Sequence, residues 1–128
     1  MGFWIFMTCM NLLIPLIMLI VGVVFLVRPP KNINNYYGYR THRSMINLDT
    51  WNFAHKYCGK IWIVIGSIML PICLVIMLLI MKEDNSIVGA LGAFITIIEI
   101  VPLIYSINPV EKALKKNFDE DGNRIRGL

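Results

Sequence analysis

Apolar and polar residues segregate along this chain into long blocks instead of alternating at short range. Residues 2–27 carry no charged side chain, residues 61–81 carry none, and residues 87–107 carry one, Glu99. A helix needs roughly 20 apolar residues to cross about 30 Å of hydrocarbon, and each block is that long. Helices satisfy their own backbone hydrogen bonds, which lipid cannot do for them. The pattern therefore predicts an all-α integral membrane protein with three transmembrane helices, near 2–27, 61–81 and 87–107. A polar loop at 28–60, a tight turn at 82–86 and a tail at 108–128 make up the remainder. These segments are too short for a separate soluble domain, so residues 1–128 read as a single membrane domain. A signal peptide would open on basic residues and hold a shorter apolar core. Met1-Gly2-Phe3-Trp4 has no basic side chain, and the first block reads as a retained span.

The loop at 28–60 has its own pattern. Pro29 and Pro30, followed by Asn32, Asn34 and Asn35, favour extended and turn conformations over helix. Gly38 permits a tight backbone turn, and Thr41 can cap a following helix. From His42 onward, Met45, Leu48, Trp51 and Cys58 recur at helical spacing with polar residues between them. This predicts a juxtamembrane amphipathic helix lying at the cytoplasmic interface before the second span. On such a helix Arg40, Ser44, Asn47 and Trp51 align, with Arg43 and Asp49 near them. Arginine suits a planar carboxylate or phosphate. Asparagine adds a neutral donor and acceptor, and tryptophan adds a flat apolar wall. The set would grip an anionic headgroup or a peptide; equally, Arg and Trp would anchor a helix in lipid with no specific ligand.

Charge orients the spans. Lys and Arg accumulate on the cytoplasmic side of short loops. Arg28, Lys31, Arg40, Arg43, Lys56 and Lys60 lie in the long loop, and Lys112, Lys115, Lys116, Arg124 and Arg126 in the tail. Only Lys82 lies on the other side, so the N-terminus is expected outside and the loop and tail inside. The net charge of +4 then follows from topology and from attraction to anionic lipid, and no nucleic-acid partner is expected. The three cysteines, Cys9, Cys58 and Cys73, form no metal or disulfide framework and read as small buried residues. His42 and His55 are too far apart for a local ligand pair, so neither metal nor cofactor is expected. No nucleophilic triad, phosphate loop or H-E-x-x-H motif is present, and catalysis has no support in the sequence.

Inside the spans, Pro15, Pro71 and Pro102 each remove one helical donor, freeing the carbonyls of Asn11, Ser67 and Ile98. Gly89, Gly92, Thr96, Glu99, Leu103 and Ser106 share one face of the third span. Their small members allow close helix approach, against the other spans or as the seam of a homo-oligomer. Glu99 lies near mid-membrane, where a carboxylate is costly and marks a functional site by default; a protonated, structural Glu bonded to a freed carbonyl is the alternative. Gly66 and Ser67 offer a second contact surface, and Lys60 and Trp62 look like interface anchors.

The loop resembles the SdpI/YfhL family of small bacterial membrane proteins. The likeness rests on Pro30, Asn32 or Asn34, Gly38-Tyr39-Arg40-Thr41, Ser44, Asn47, Trp51, Ala54-His55 and Gly59-Lys60, in the family's order and spacing. It covers residues 29–66 well and the rest in hydropathy only. The resemblance implies a bacterial inner-membrane protein conferring immunity to a secreted antimicrobial toxin. Arg40, Thr41, Arg43, Ser44, Asn47, Trp51, His55 and Glu99 are then the expected toxin- or ligand-binding residues. One branch of the family is described as holding a transcriptional repressor at the membrane, so a cytosolic regulator is a second expected partner. A lipid-handling enzyme or small transporter is the competing class, with Glu99 as acid or proton carrier and Arg40 or Arg43 on a phosphate. Glu99→Gln separates these readings, because a transporter loses function and a binding protein with a structural Glu does not. Removing the tail after Asn108 should damage docking of a regulator and spare toxin binding.

Overall fold

A computed structural model describes residues 2–125, which leaves Arg126 outside the described residues. Four helices follow in order: α1 Gly2–Val27, α2 Leu48–Leu79, α3 Asn85–Tyr105 and α4 Ile107–Asn117. The three apolar stretches are each long and apolar enough to cross a membrane, the third counting α3 and α4 together. Their outward faces carry Ile5, Phe6, Ile20, Val64, Ile68, Phe94 and Ile97, all exposed in the isolated chain and suited to lipid. The described residues hold no strand, only an isolated bridge between Phe118 and Arg124.

The juxtamembrane helix expected from His42 is not what forms. Residues 42–47 turn, and α2 begins only at Leu48, capped by Asn47 in place of Thr41. Asn47 Oδ1 accepts from the Thr50 N–H at 2.8 Å, and Thr50 Oγ1 accepts from the Asn47 N–H at 3.1 Å. This reciprocal cap satisfies two otherwise orphaned donors and fixes the start of the helix there. Thr41 pairs with Ser44 in a smaller version of the same exchange, each hydroxyl accepting from the other's N–H. From Leu48 the helix runs unbroken into the apolar block. Its 32 residues give a length of about 48 Å, well beyond the hydrocarbon layer, so its basic end projects from the membrane.

Helix α1 packs antiparallel against α2 through glycines. A Cβ at Gly59 would sit 2.7 Å from the Gly22 carbonyl oxygen, and one at Gly66 would sit 2.9 Å from that of Pro15. Gly66 is buried as expected, whereas Ser67 is exposed. Helix α3 closes the bundle on α1. Asn11 is fully buried, accepts from the Thr96 hydroxyl at 2.7 Å and directs its amide to Met77 Sδ at 3.4 Å. Gly92 is buried against Met7 and Asn11, so this part of the small-residue face of α3 packs on α1. At this end Cys73, Met77, Val88 and Ile95 form a core, and the Trp4 indole donates to the Met77 carbonyl at 2.7 Å.

At the basic end a second core forms, from Phe25, Tyr39, Ala54, Cys58, Val110, Leu114 and Phe118. Here the loop, α4 and the tail wrap the projecting start of α2. Helix α4 is separated from α3 because Pro109 offers no N–H and its ring conflicts with the carbonyl of Tyr105. Val110, Ala113 and Leu114 face inward while Lys112, Lys115 and Lys116 face out, an amphipathic helix where the sequence suggested a plain tail.

Candidate functional site

The loop motif builds the basic end. Pro30, Gly38, Trp51 and His55 meet at its centre. Trp51 is fully buried and donates its indole N–H to the Pro30 carbonyl at 2.8 Å, which ties the start of the loop to α2. His55 Nε2 accepts from the Tyr39 N–H at 2.9 Å, and its Nδ1 lies 2.7 Å from the Trp51 carbonyl. Nε2 is therefore the acceptor, and Nδ1 carries the proton and donates to Trp51. Both ring nitrogens are engaged with backbone, leaving neither for a ligand. Gly38 lies against this ring with φ of 119°, a conformation that L side chains rarely adopt.

The backbone turn at Gly38 delivers Tyr39 and Arg40 in opposite directions. Tyr39 enters the core, and its hydroxyl donates to Glu111 Oε1 at 2.8 Å. Burial, reinforced by the hydrogen bond and the neighbouring charge of Glu111, pushes the phenol well above the ordinary tyrosine value. Arg43 completes the link, with Nε 3.8 Å from Glu111 Oε2. Ser44, fully buried, donates to the Tyr39 carbonyl at 2.9 Å. Asn47 donates to the Gly122 carbonyl at 2.8 Å, and Arg124 makes a two-point contact with Asp49 at 2.9 Å. Thus Arg43, Ser44, Asn47, Trp51 and His55 all hold the loop, α2, α4 and the tail together.

Arg40 is different. It is exposed, bonded to the Asn35 carbonyl, and stands at the rim of a groove of about 370 Å³. The groove takes its apolar surface from Phe25, Trp62, Leu103, Ile104 and Ile107, with Thr41 and Ser106 as further polar members. Ile104 and Ile107 are also exposed, so the groove lies where the apolar surface of α3 gives way to the basic end. Ser106 accepts the Trp62 indole N–H at 2.9 Å and itself donates to the Leu103 carbonyl at 2.6 Å. Trp62 is consequently fixed to α3 as a wall of the groove. An arginine above an apolar trough is matched to an amphipathic molecule carrying carboxylate or phosphate.

Of the residues expected to bind a ligand, the structure brings Arg40 and Thr41 to the groove. Glu99 lies on α3 inside the bundle, apart from the loop residues, in a different cavity. Sequence reasoning missed Phe25, Ile104 and Ile107, which look like ordinary span residues, and Tyr39 with Glu111, whereas spacing already places Leu103 and Ser106 on one face of the third span. The spacing of Val110, Ala113, Leu114 and Phe118 was the available sign that the tail folds back.

The fold and this interfacial site define a multi-pass helical membrane protein whose basic end is a folded cap. The chain belongs to the SdpI/YfhL protein family, whose model matches residues 31–106. It is 42% identical over 53 residues to the uncharacterized protein YfhL of Bacillus subtilis (strain 168). That match covers 41% of this chain and 48% of the relative, so the chain aligns with about half of the relative's length. No solved structure matches.

Proposed function

We propose that this chain is an SdpI-like immunity protein of the bacterial inner membrane. It protects the cell from a secreted antimicrobial toxin by binding the toxin, or a membrane component it needs, in the Arg40 groove. The N-terminus faces out and the basic end faces the cytoplasm, following the eleven-to-one distribution of Lys and Arg. The observation that carries this reading is the position of Arg40. Its motif neighbours are engaged inside the protein, whereas its guanidinium has donors to spare above an apolar trough at the membrane boundary. A membrane-active peptide that inserts as far as the inner leaflet presents the matching chemistry, apolar side chains with a carboxylate. No bond needs to be broken, and no set of catalytic groups lines the groove.

The test is survival of a sensitive bacterial host against a panel of membrane-active peptides, with and without this chain. Arg40→Ala should abolish protection at equal membrane abundance. Arg124→Ala, which removes an exposed pair away from the groove, should retain it. Equal protection by Arg40→Ala and wild type would refute the groove as the binding site.

A further inference from the structure

Two surface clefts at the basic end share no residue with the Arg40 groove. One follows α2 past Lys56 and Lys60; the other lies between α2 and α4 and takes Lys112 and Lys116 from α4. Tyr57 borders both. Its ring stacks on Phe53 with centroids 5.8 Å apart, and Phe53 meets Phe118 edge-on at 5.4 Å, so packing holds the tyrosine in place. All four lysines are exposed. Each pair is spaced i, i+4, which sets two ammonium groups on one face of its helix, a mildly repulsive arrangement that an anion would relieve. Among the described residues no carboxylate does so, since Glu111 is paired with Arg43 and Asp49 with Arg124. Lys60 directly precedes the uncharged run 61–81. Continuing from it along the same face, Val64, Ser67 and Pro71 are exposed, so the lysine stripe runs on into lipid-facing surface. On the other side Lys112 is the first basic residue after the apolar block 87–107. A soluble acidic partner would match the lysines and leave the adjoining apolar stripe unused. An anionic lipid matches both.

We propose that the paired clefts bind the phosphate of an anionic phospholipid in the leaflet at the basic end. Lys56 and Lys60 approach the phosphate from α2, Lys112 and Lys116 approach it from α4, and the Tyr57 phenol supplies a further donor. The acyl chains lie along the face of α2 that carries Val64 and Pro71. Lysine binds phosphate as a point charge on a flexible stem, so the site selects negative charge over one particular headgroup. A lipid held there bridges α2 and α4. The Arg40 groove plays no part in this site, and either can fail without the other.

The test uses the full chain, purified in mild detergent and mixed with equal amounts of dioleoylphosphatidylglycerol and dioleoylphosphatidylcholine. These lipids share their acyl chains and differ in net charge. Native mass spectrometry reads the ratio of the two lipids retained on the protein, and wild type should favour the anionic one. Lys60→Gln and Lys112→Gln should each lower that preference by about fivefold, the worth of one basic residue beside an anionic headgroup. Lys31→Gln and Lys115→Gln remove the same charge from exposed positions that line neither cleft, and should leave it unchanged. An equal response of all four variants, whether a fall or none, would overturn the site, because position would then count for nothing. An absence of preference in wild type would overturn it as well and assign the lysines to a soluble acidic partner. Glycerophosphoglycerol, the same headgroup without acyl chains, should fail to displace the bound lipid. Displacement by it at the lipid's own concentration would make the occupant a soluble phosphate and refute the lipid.

Discussion

Gly38 gives the sharpest test of how the basic end is held. An alanine there would place Cβ 2.5 Å from His55 Nε2 and 3.2 Å from both Pro30 and Trp51. His55 has little freedom to retreat. It is held at 2.9 Å by the Tyr39 N–H and at 2.7 Å by the Trp51 carbonyl. Its ring also packs 4.7 Å from Phe25 and 4.3 Å from Trp51, centroid to centroid. Two costs arise in Gly38→Ala. Holding a non-glycine residue at φ of 119° costs on the order of 1–3 kcal/mol. Displacing the ring breaks the Tyr39–His55 bond and strands a buried N–H, for another roughly 1–3 kcal/mol. The sum is about 2–6 kcal/mol. His55→Ala alone also strands that N–H, but it removes the atom that Cβ would strike. In the double variant only the backbone cost of Gly38→Ala remains. The two substitutions should therefore be sub-additive by about 1–3 kcal/mol in a double-mutant cycle. Reversible unfolding in mixed micelles, followed by the fluorescence of Trp4, Trp51 and Trp62, measures each stability. Additivity to within about 0.5 kcal/mol would refute the clasp, because independent sites add to that precision.

Three further outcomes follow from the same structure. Tyr39→Phe removes the hydroxyl bonded to Glu111 and should cost about 1 kcal/mol at neutral pH, read by the same unfolding assay. Because burial raises the phenol pKa in the folded state, the wild-type contribution is complete below the ordinary tyrosine value of about 10 and declines as pH rises above it. Tyr39→Phe should flatten that alkaline decline, and an unchanged profile would mean that Tyr39 is not its source. Gly59→Val should separate α1 from α2, since its Cβ would meet backbone at the Gly22 carbonyl, which cannot swing aside. A crosslink between cysteines placed on α1 and α2 reports this, and undiminished crosslinking would contradict the glycine contact. Asp49→Ala should lower stability by no more than about 1 kcal/mol, as its pair with Arg124 is exposed; a loss several times larger would show that the tail clasp is cooperative with the cap.

The particular residues show why some features were legible and others were not. The spans could be read because lipid imposes a simple requirement, an uncharged run of sufficient length, and 2–27, 61–81 and 87–107 each meet it. The turn-forming start of the loop could be read too. Asn34 Oδ1 accepts from the N–H groups of Tyr36 and Tyr37 at 2.9 and 2.7 Å, local bonds that depend on neighbours in sequence. The helical spacing from His42 misled because it was right about Leu48, Trp51 and Cys58 and wrong about what precedes them. Thr41 and Ser44 make the same reciprocal exchange as Asn47 and Thr50, but the Ser44 hydroxyl is spent on the Tyr39 carbonyl and residues 42–47 stay a turn, so the helix starts only after Asn47.

The sequence by itself determined the number of spans, the basic and non-basic ends, and the identity of a loop rich in polar and aromatic residues. Each follows from composition over a window or from bonds between near neighbours. Only the tertiary structure decided the roles within that loop. It buried Trp51 and His55 as fasteners, spent Arg43 on Glu111, and left Arg40 above a groove walled by Phe25, Trp62 and Ile104. It also folded α4 and the tail onto α2, burying Val110, Leu114 and Phe118 against Phe25, Tyr39, Ala54 and Cys58. Contacts such as Tyr39 with Glu111 join residues far apart in the chain, and their pairing depends on how α2, α3 and α4 pack. No local pattern encodes that distance, so the site became visible only when the helices were in place.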